Sequence, residues 1–190
     1  MNKNPFIVIC GMNNTGKSTQ LEKLFERIRE EIPGPVSKYV DPVNSITSLS
    51  ATLKDHPEDL SPRETQFLYA LRRTENSSEL KSMIEVGPVV TEDYIGTSYA
   101  WGISGGVDIK LLWRINTNLL KPDITFLLYG TQYTGSIEKD HKNKIDDSLY
   151  DKVSKAFRQP ILSGNWIHIN NRKSIDEIHE EIWSHVKKKL

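Results

Sequence analysis

Eight consecutive residues, Gly11-Met12-Asn13-Asn14-Thr15-Gly16-Lys17-Ser18, fit the pattern G-x-x-x-x-G-K-[ST]. Glycines at 11 and 16 let the chain wrap, so that backbone N–H groups of Asn13, Asn14, Thr15, Gly16 and Thr19 can converge on a phosphate. A helix beginning at Lys17 would add the partial positive charge of its N-terminus. Lys17 is long enough to reach the β- and γ-phosphates, and the hydroxyl of Ser18 is a hard oxygen suited to Mg²⁺. Together these residues describe a site for ATP or another nucleoside triphosphate. A plain βα turn carrying a surface lysine would account for neither the full pattern nor its position between a strand and a helix. Cys10, just before the loop, reads as a small core residue.

The elements around this loop follow from hydrophobic periodicity. Phe6-Ile7-Val8-Ile9-Cys10 is apolar on both faces, as a strand inside a parallel sheet must be. Leu21, Leu24, Phe25, Ile28 and Ile32 form the stripe of an amphipathic helix, which Pro33-Gly34-Pro35 ends. Further strands are expected at Val36–Val40, Pro88–Thr91, Ile124–Leu128 and Trp166–Ile169. Helices are expected from Ser61 to about Ile84, through Trp101, from an Asp108 cap to Leu120, from Ser148 to Arg158, and from Ser174 onward. Ser61 with Glu64 and Ser174 with Glu177 are capping boxes. Alternating strands and helices imply an α/β fold of three layers: a parallel, five-stranded P-loop NTPase sheet with helices on both faces. Residues 1–190 are expected to form one domain. The polar stretch from Gly130 to Asp147 lacks periodicity, and its length marks residues 132–146 as a lid, with Lys139, His141, Lys142 and Lys144.

Composition limits the partners. The 190 residues carry 25 Lys+Arg and 25 Asp+Glu, a net charge of zero, which argues against a broad basic footprint for nucleic acid or anionic lipid. The single cysteine excludes an internal disulfide and any CxxC metal site, and fits a cytoplasmic setting. No apolar run approaches the length of a membrane span. The histidines have no metal-ligand spacing, since His179 and His185 are six residues apart. An N-K-x-D tetrapeptide, the form a GTPase uses to select its base, does occur as Asn143-Lys144-Ile145-Asp146 within that polar stretch, so size and lid must decide the class. Size and lid suit a kinase of small molecules, which must shut out water to avoid hydrolysing its donor.

Four segments then resemble the thymidylate kinase family. FIVICGMNNTGKSTQL, residues 6–21, is similar to its opening strand, loop and helix, and FLYALRR, residues 67–73, to its Phe-Ala-x-Asp-Arg segment. EDYIGTSYAWG, residues 92–102, aligns without gaps on its Asp-Arg-Tyr-x-x-Ser-Ser-x-Ala-Tyr-Gln, and Pro122-Asp123-Ile124-Thr125 on its Pro-Asp-Leu-Thr. The resemblance implies ATP-dependent phosphorylation of a pyrimidine deoxynucleoside monophosphate, dTMP or a modified relative, by a homodimer that uses Mg²⁺. It implies that Tyr69 stacks on the base, Arg73 donates to its O4, and Ser98 reads the N3 edge. Thr97 falls in the same motif, and Trp101 at the position that excludes a 2′-hydroxyl. It further implies that Lys17 and Glu92 are catalytic, with Ser18 and Glu92 on the metal side.

The departures concern charge. Asn13 stands where the family has an Asp that binds the acceptor's 3′-hydroxyl. Asp93 stands where the family has an arginine that clamps the acceptor phosphate, an exchange of attraction for repulsion. Val40-Asp41-Pro42 replaces Arg-Glu-Pro. These losses fit three accounts: a displaced cation such as Arg72, Lys38 or Arg114 with dTMP retained; a modified pyrimidine nucleotide whose extra group uses Asp41, Asp93 or Asn13; or a deoxynucleoside acceptor. A non-catalytic nucleotide-binding protein is the reading from another class, and intact Lys17, Ser18 and Glu92 oppose it.

Overall fold

In the computed structural model, the residues described are 4–40, 60–133, 147–159, 162 and 164–190. The expected lid, apart from residues 132 and 133, and Asp41 lie outside them. The five strands are β1 (Phe6–Gly11), β2 (Ser37–Lys38), β3 (Val89–Glu92), β4 (Ile124–Tyr129) and β5 (Ile167–Asn170). All pair in parallel in the order β2-β3-β1-β4-β5. The helices are α1 (Lys17–Glu31), α2 (Pro62–Glu75), α3 (Ser77–Val86), α4 (Ile95–Ser104), α5 (Ile109–Ile115), α6 (Asp147–Phe157) and α7 (Ile175–Val186).

The central strand explains the layering. Side chains alternate along β1, so Phe6, Val8 and Cys10 enter one core with Tyr94, Ala100, Val153 and Phe157, while Ile7 and Ile9 enter another with Leu24, Ile28, Ile178 and Ile182. Every residue of β1 is buried. The chain leaves β1 for strands on one side and returns to β4 on the other. That reversal opens a crevice at the carboxyl ends of β1, β3 and β4, where ligands of such sheets bind.

The structure changes two helix expectations, and asparagine is the agent in both. The helix expected over 61–84 breaks at Asn76 into α2 and α3, and the helix expected to reach Leu120 stops at Ile115. Asn76 Nδ2 donates to the Arg72 carbonyl at 2.7 Å, and Asn116 Nδ2 to the Leu112 carbonyl at 2.8 Å. Each side chain supplies a local partner four residues back and turns the backbone out of the helix, while the apolar pattern runs on across the break. The second strand is also shorter than Val36–Val40, at Ser37–Lys38. The two capping boxes and the Asp108 cap form as expected.

On α7, His179 packs toward α1 with its Nδ1 buried and unpartnered. Burial, then the charges of Arg27 and Lys23, hold its pKa below the ordinary 6.5. Glu180 and Asp176 oppose this without reversing it. The unfolded chain therefore binds this proton more readily than the native state. Stability is full above the unfolded value and falls as pH drops below it. Thermal melts at about pH 7.5 and about pH 5 should show that His179→Gln loses less melting temperature on acidification than the native sequence does.

Candidate active site

The phosphate loop leaves β1 at Gly11, whose φ of 150° and close neighbour require glycine: a Cβ there would lie 2.5 Å from the Leu128 carbonyl oxygen on β4. Asn14 and Gly16 both take left-handed backbone, at φ 61° and 92°. Thr15 Oγ1 donates to the Met12 carbonyl at 2.8 Å and closes the loop on itself. At the start of α1, Gly16 offers no side-chain cap and the first turn holds no acid, leaving its N–H groups to an anion. Asn13 sits half-buried in the loop, and Thr19 is exposed on the first turn of α1.

Lys17 is 8% exposed, and its Nζ donates to the Met12 carbonyl at 3.2 Å and lies 3.7 Å from Asp93 Oδ2. Ser18 Oγ donates to Glu92 Oε2 at 2.8 Å. The sheet makes this meeting possible, since Ile9 is paired with Glu92 and the Asp93 N–H donates to the Ile9 carbonyl at 3.0 Å. Asp93 itself is left-handed, at φ 58°, and its Oδ1 accepts from Thr97 Oγ1 at 2.7 Å. A serine hydroxyl touching a carboxylate is an all-oxygen donor set that fits Mg²⁺. Among the described residues, no group of three or more His, Cys, Asp or Glu is arranged to hold a metal ion without further ligands. Burial first, then Asp93, pushes the Cys10 thiol far up, against a smaller opposing effect of Lys17, so Cys10 is inert core.

Asn171, just beyond β5, was not anticipated. Fully buried, it donates from Nδ2 to the Thr15 carbonyl at 3.0 Å and the Thr131 carbonyl at 2.6 Å, and accepts at Oδ1 from Thr131 N–H at 2.7 Å. Tyr133 adds a second tie: its N–H donates to the Asn14 carbonyl at 2.8 Å and its hydroxyl to the Asn171 carbonyl. One amide thus fastens the phosphate loop to the ends of β4 and β5. The sequence signal was a polar pair, Asn170-Asn171, at the carboxyl edge of the last strand.

Two cavities lie near the loop, one bordered by Gly16 and the other by Asp93, the neighbour of Lys17. One, of about 480 Å³, is bounded by Asn14, Thr15, Gly16 and Thr19 together with Gln20, Tyr133 and the start of α7. The other, of about 350 Å³, gathers all six residues expected at the acceptor, Tyr69, Arg73, Asp93, Thr97, Ser98 and Trp101, and adds Thr65 and Gln66. A larger cavity of about 560 Å³ lies between α4, β4 and β5 without any residue of the phosphate loop, so size does not select the site. Arg73 is 5% exposed rather than a solvated helix charge; Nη1 donates to Ser98 Oγ at 2.6 Å, and its guanidinium lies 5.6 Å from the Tyr69 ring centre and 5.4 Å from that of Tyr94. None of the proposed replacement cations Arg72, Lys38 and Arg114 lines this cavity. Lys38 instead pairs with Glu22 and lies over the Phe25 ring.

A phosphate loop with a separate polar cavity across the same lysine defines a P-loop kinase of the nucleoside monophosphate class. A family model described as thymidylate kinase matches residues 9–182. Over 196 residues the chain is 26% identical to thymidylate kinase of Plasmodium falciparum, covering 98% of this chain and 91% of the relative. It is 27% identical to thymidylate kinase of Halothermothrix orenii, covering 96% of each, and 27% identical to a probable thymidylate kinase of Methanocaldococcus jannaschii, covering 97% and 96%. The chain belongs to the thymidylate kinase family. It is an ATP-dependent nucleoside monophosphate kinase.

Asn171→Ala would strand carbonyls of the phosphate loop and of residue 131 without donors. The expected outcome is a stability loss of about 2 kcal/mol in denaturant titration, with ATP affinity lowered about tenfold by calorimetry. A variant with native ATP affinity would show that the amide does not hold the loop.

Proposed function

We propose that the enzyme transfers the γ-phosphoryl group of ATP to the phosphate of dTMP, forming dTDP and ADP. The carrying observation is that Asp93 lines the acceptor cavity and also lies 3.7 Å from Lys17, so a nucleotide there would end beside the phosphate loop. ATP would lie on residues 11–19, its base in the cavity beside Gln20, and Lys17 would neutralise charge on the transferring group. Leaving Asp93 for the triphosphate is a short movement for so long a side chain. Ser18 and Glu92 would hold Mg²⁺, directly and through water, and the ion would offset phosphate charge. In the acceptor cavity Tyr69 would stack on the base, Arg73 and Ser98 would give it hydrogen bonds, and Trp101 would crowd the 2′ side of the sugar.

No general base is needed, because an acceptor phosphate oxygen is already anionic. Asp93 repels that phosphate, which would therefore lie toward Lys17 and the loop rather than against the end of β3. The enzyme would work as one domain over residues 1–190, as a homodimer in the cytoplasm. No helix among the described residues is long and apolar enough to cross a membrane.

Initial rates with ATP·Mg²⁺ and a panel of nucleosides and monophosphates test this. dTMP should be turned over and thymidine should not; turnover of thymidine alone would make the protein a nucleoside kinase. Lys17→Ala should lower dTMP turnover at least about a hundredfold, through loss of transition-state charge stabilisation.

A further inference from the structure

The cavity of about 560 Å³ has no part in the reaction above, yet its size is that of a small-molecule site, roughly 300–1,000 Å³. Its lining divides by chemistry. Lys121, just before β4, and Lys188 and Lys189, just after α7, bring three cations to it. Among the described residues of the lining the single acid is Asp123, whose Oδ2 accepts from the Phe6 N–H at 2.9 Å. The buried part is apolar, with Val8, Ile95 and Leu162, and Tyr94, Tyr99 and Trp166 make it aromatic as well. Exposed lysines beside an apolar, aromatic interior suit an anionic group attached to a flat apolar body.

Helix α4 is the partition between this cavity and the one beside Asp93. Ile95, Gly96 and Tyr99 line the first, whereas Thr97, Ser98 and Trp101 line the second. With about 3.6 residues per turn, the two sets fall on opposite sides of the helix. The partition is closely packed: a Cβ on Gly96 would lie 2.6 Å from Trp166 Cη2. Arg73, in the second cavity, is close to the first through two tyrosines that line it. Its guanidinium lies 5.4 Å from the ring centre of Tyr94. Burial pushes the Tyr99 hydroxyl up, and the charge of Arg73 opposes that push.

We propose that this cavity is an effector site for an organic phosphate with a planar apolar body, whose occupant acts on acceptor binding through α4, Tyr94 and Tyr99. The lysines would take the phosphate and the ring of Trp166 the planar body. Occupant and acceptor then change each other's affinity by the same factor. The coupling rests on the dTMP reading of the neighbouring cavity; the binding site does not.

The probe is 1-naphthyl phosphate, titrated by calorimetry into the full chain already saturated with dTMP, Mg²⁺ and a non-hydrolysable ATP analogue. One molecule should bind with a Kd of about 100 μM or tighter, and inorganic phosphate at least about tenfold more weakly. The double variant Lys188→Glu, Lys189→Glu changes two exposed side chains and should bind the probe at least about tenfold more weakly, with its KM for ATP within about twofold of native. Absence of binding to the native protein, or equal binding by the double variant, overturns the site. In initial rates, saturating probe should shift the native KM for dTMP at least about threefold, leave the KM for ATP within about twofold, and shift neither in the double variant. An unmoved dTMP KM, or a shift that persists in the double variant, overturns the effector role. Native protein that binds the probe but phosphorylates no dTMP overturns the dTMP reading and the coupling with it, while the binding site stands.

Discussion

A lysine side chain with little access to water must be answered by oxygen atoms, and the site is arranged around meeting that demand for Lys17. In the structure its Nζ is answered by the Met12 carbonyl and, at 3.7 Å, by Asp93. Both partners are positioned by unusual backbone: Asp93 is left-handed, and the loop turns through left-handed Asn14 and Gly16. A β-branched or bulky residue would resist such conformations, whereas Asn, Asp and Gly tolerate them. The positive charge that a triphosphate would use is thus held in place before the nucleotide arrives.

Holding that geometry is a task for the whole sheet. The parallel pairing of β1 with β3 puts Glu92 against Ser18, and the pairing of β1 with β4 brings the Leu128 carbonyl so near Gly11 that no side chain fits. Asn171 then links the loop to the far strands through three hydrogen bonds of one buried side chain. Such a preorganised anion site gives up little conformational freedom when it binds, which is the condition for electrostatic catalysis of phosphoryl transfer. The neighbouring cavity wall is organised in the same way, with the Arg73 guanidinium held by Ser98 and by the rings of Tyr69 and Tyr94.

Much of this was legible in the sequence because it is local. The phosphate loop is a contiguous motif, and the apolar run before it and the stripe after it give the strand and helix that frame it. The six residues expected at the acceptor come from matched segments, and they line one cavity. What escaped was asparagine chemistry. Asn76 and Asn116 end helices through bonds to their own backbone, which hydrophobic periodicity does not register. Asn171 reads as a turn residue, and its role depends on Thr15, a residue 156 positions away. Asp93 was identified from sequence as a charge reversal; its bearing on Lys17 is a fact of three dimensions.

Asp93, 3.7 Å from Lys17, would compete with a triphosphate for that lysine. Calorimetric titration of ATP·Mg²⁺ into the native protein and into Asp93→Asn, with no acceptor present, addresses this most directly. Removing one negative charge near the lysine, at a partly exposed site, should tighten ATP binding about fivefold. Equal or weaker binding by Asp93→Asn would contradict the account, because Lys17 would then be free for the nucleotide whatever Asp93 does.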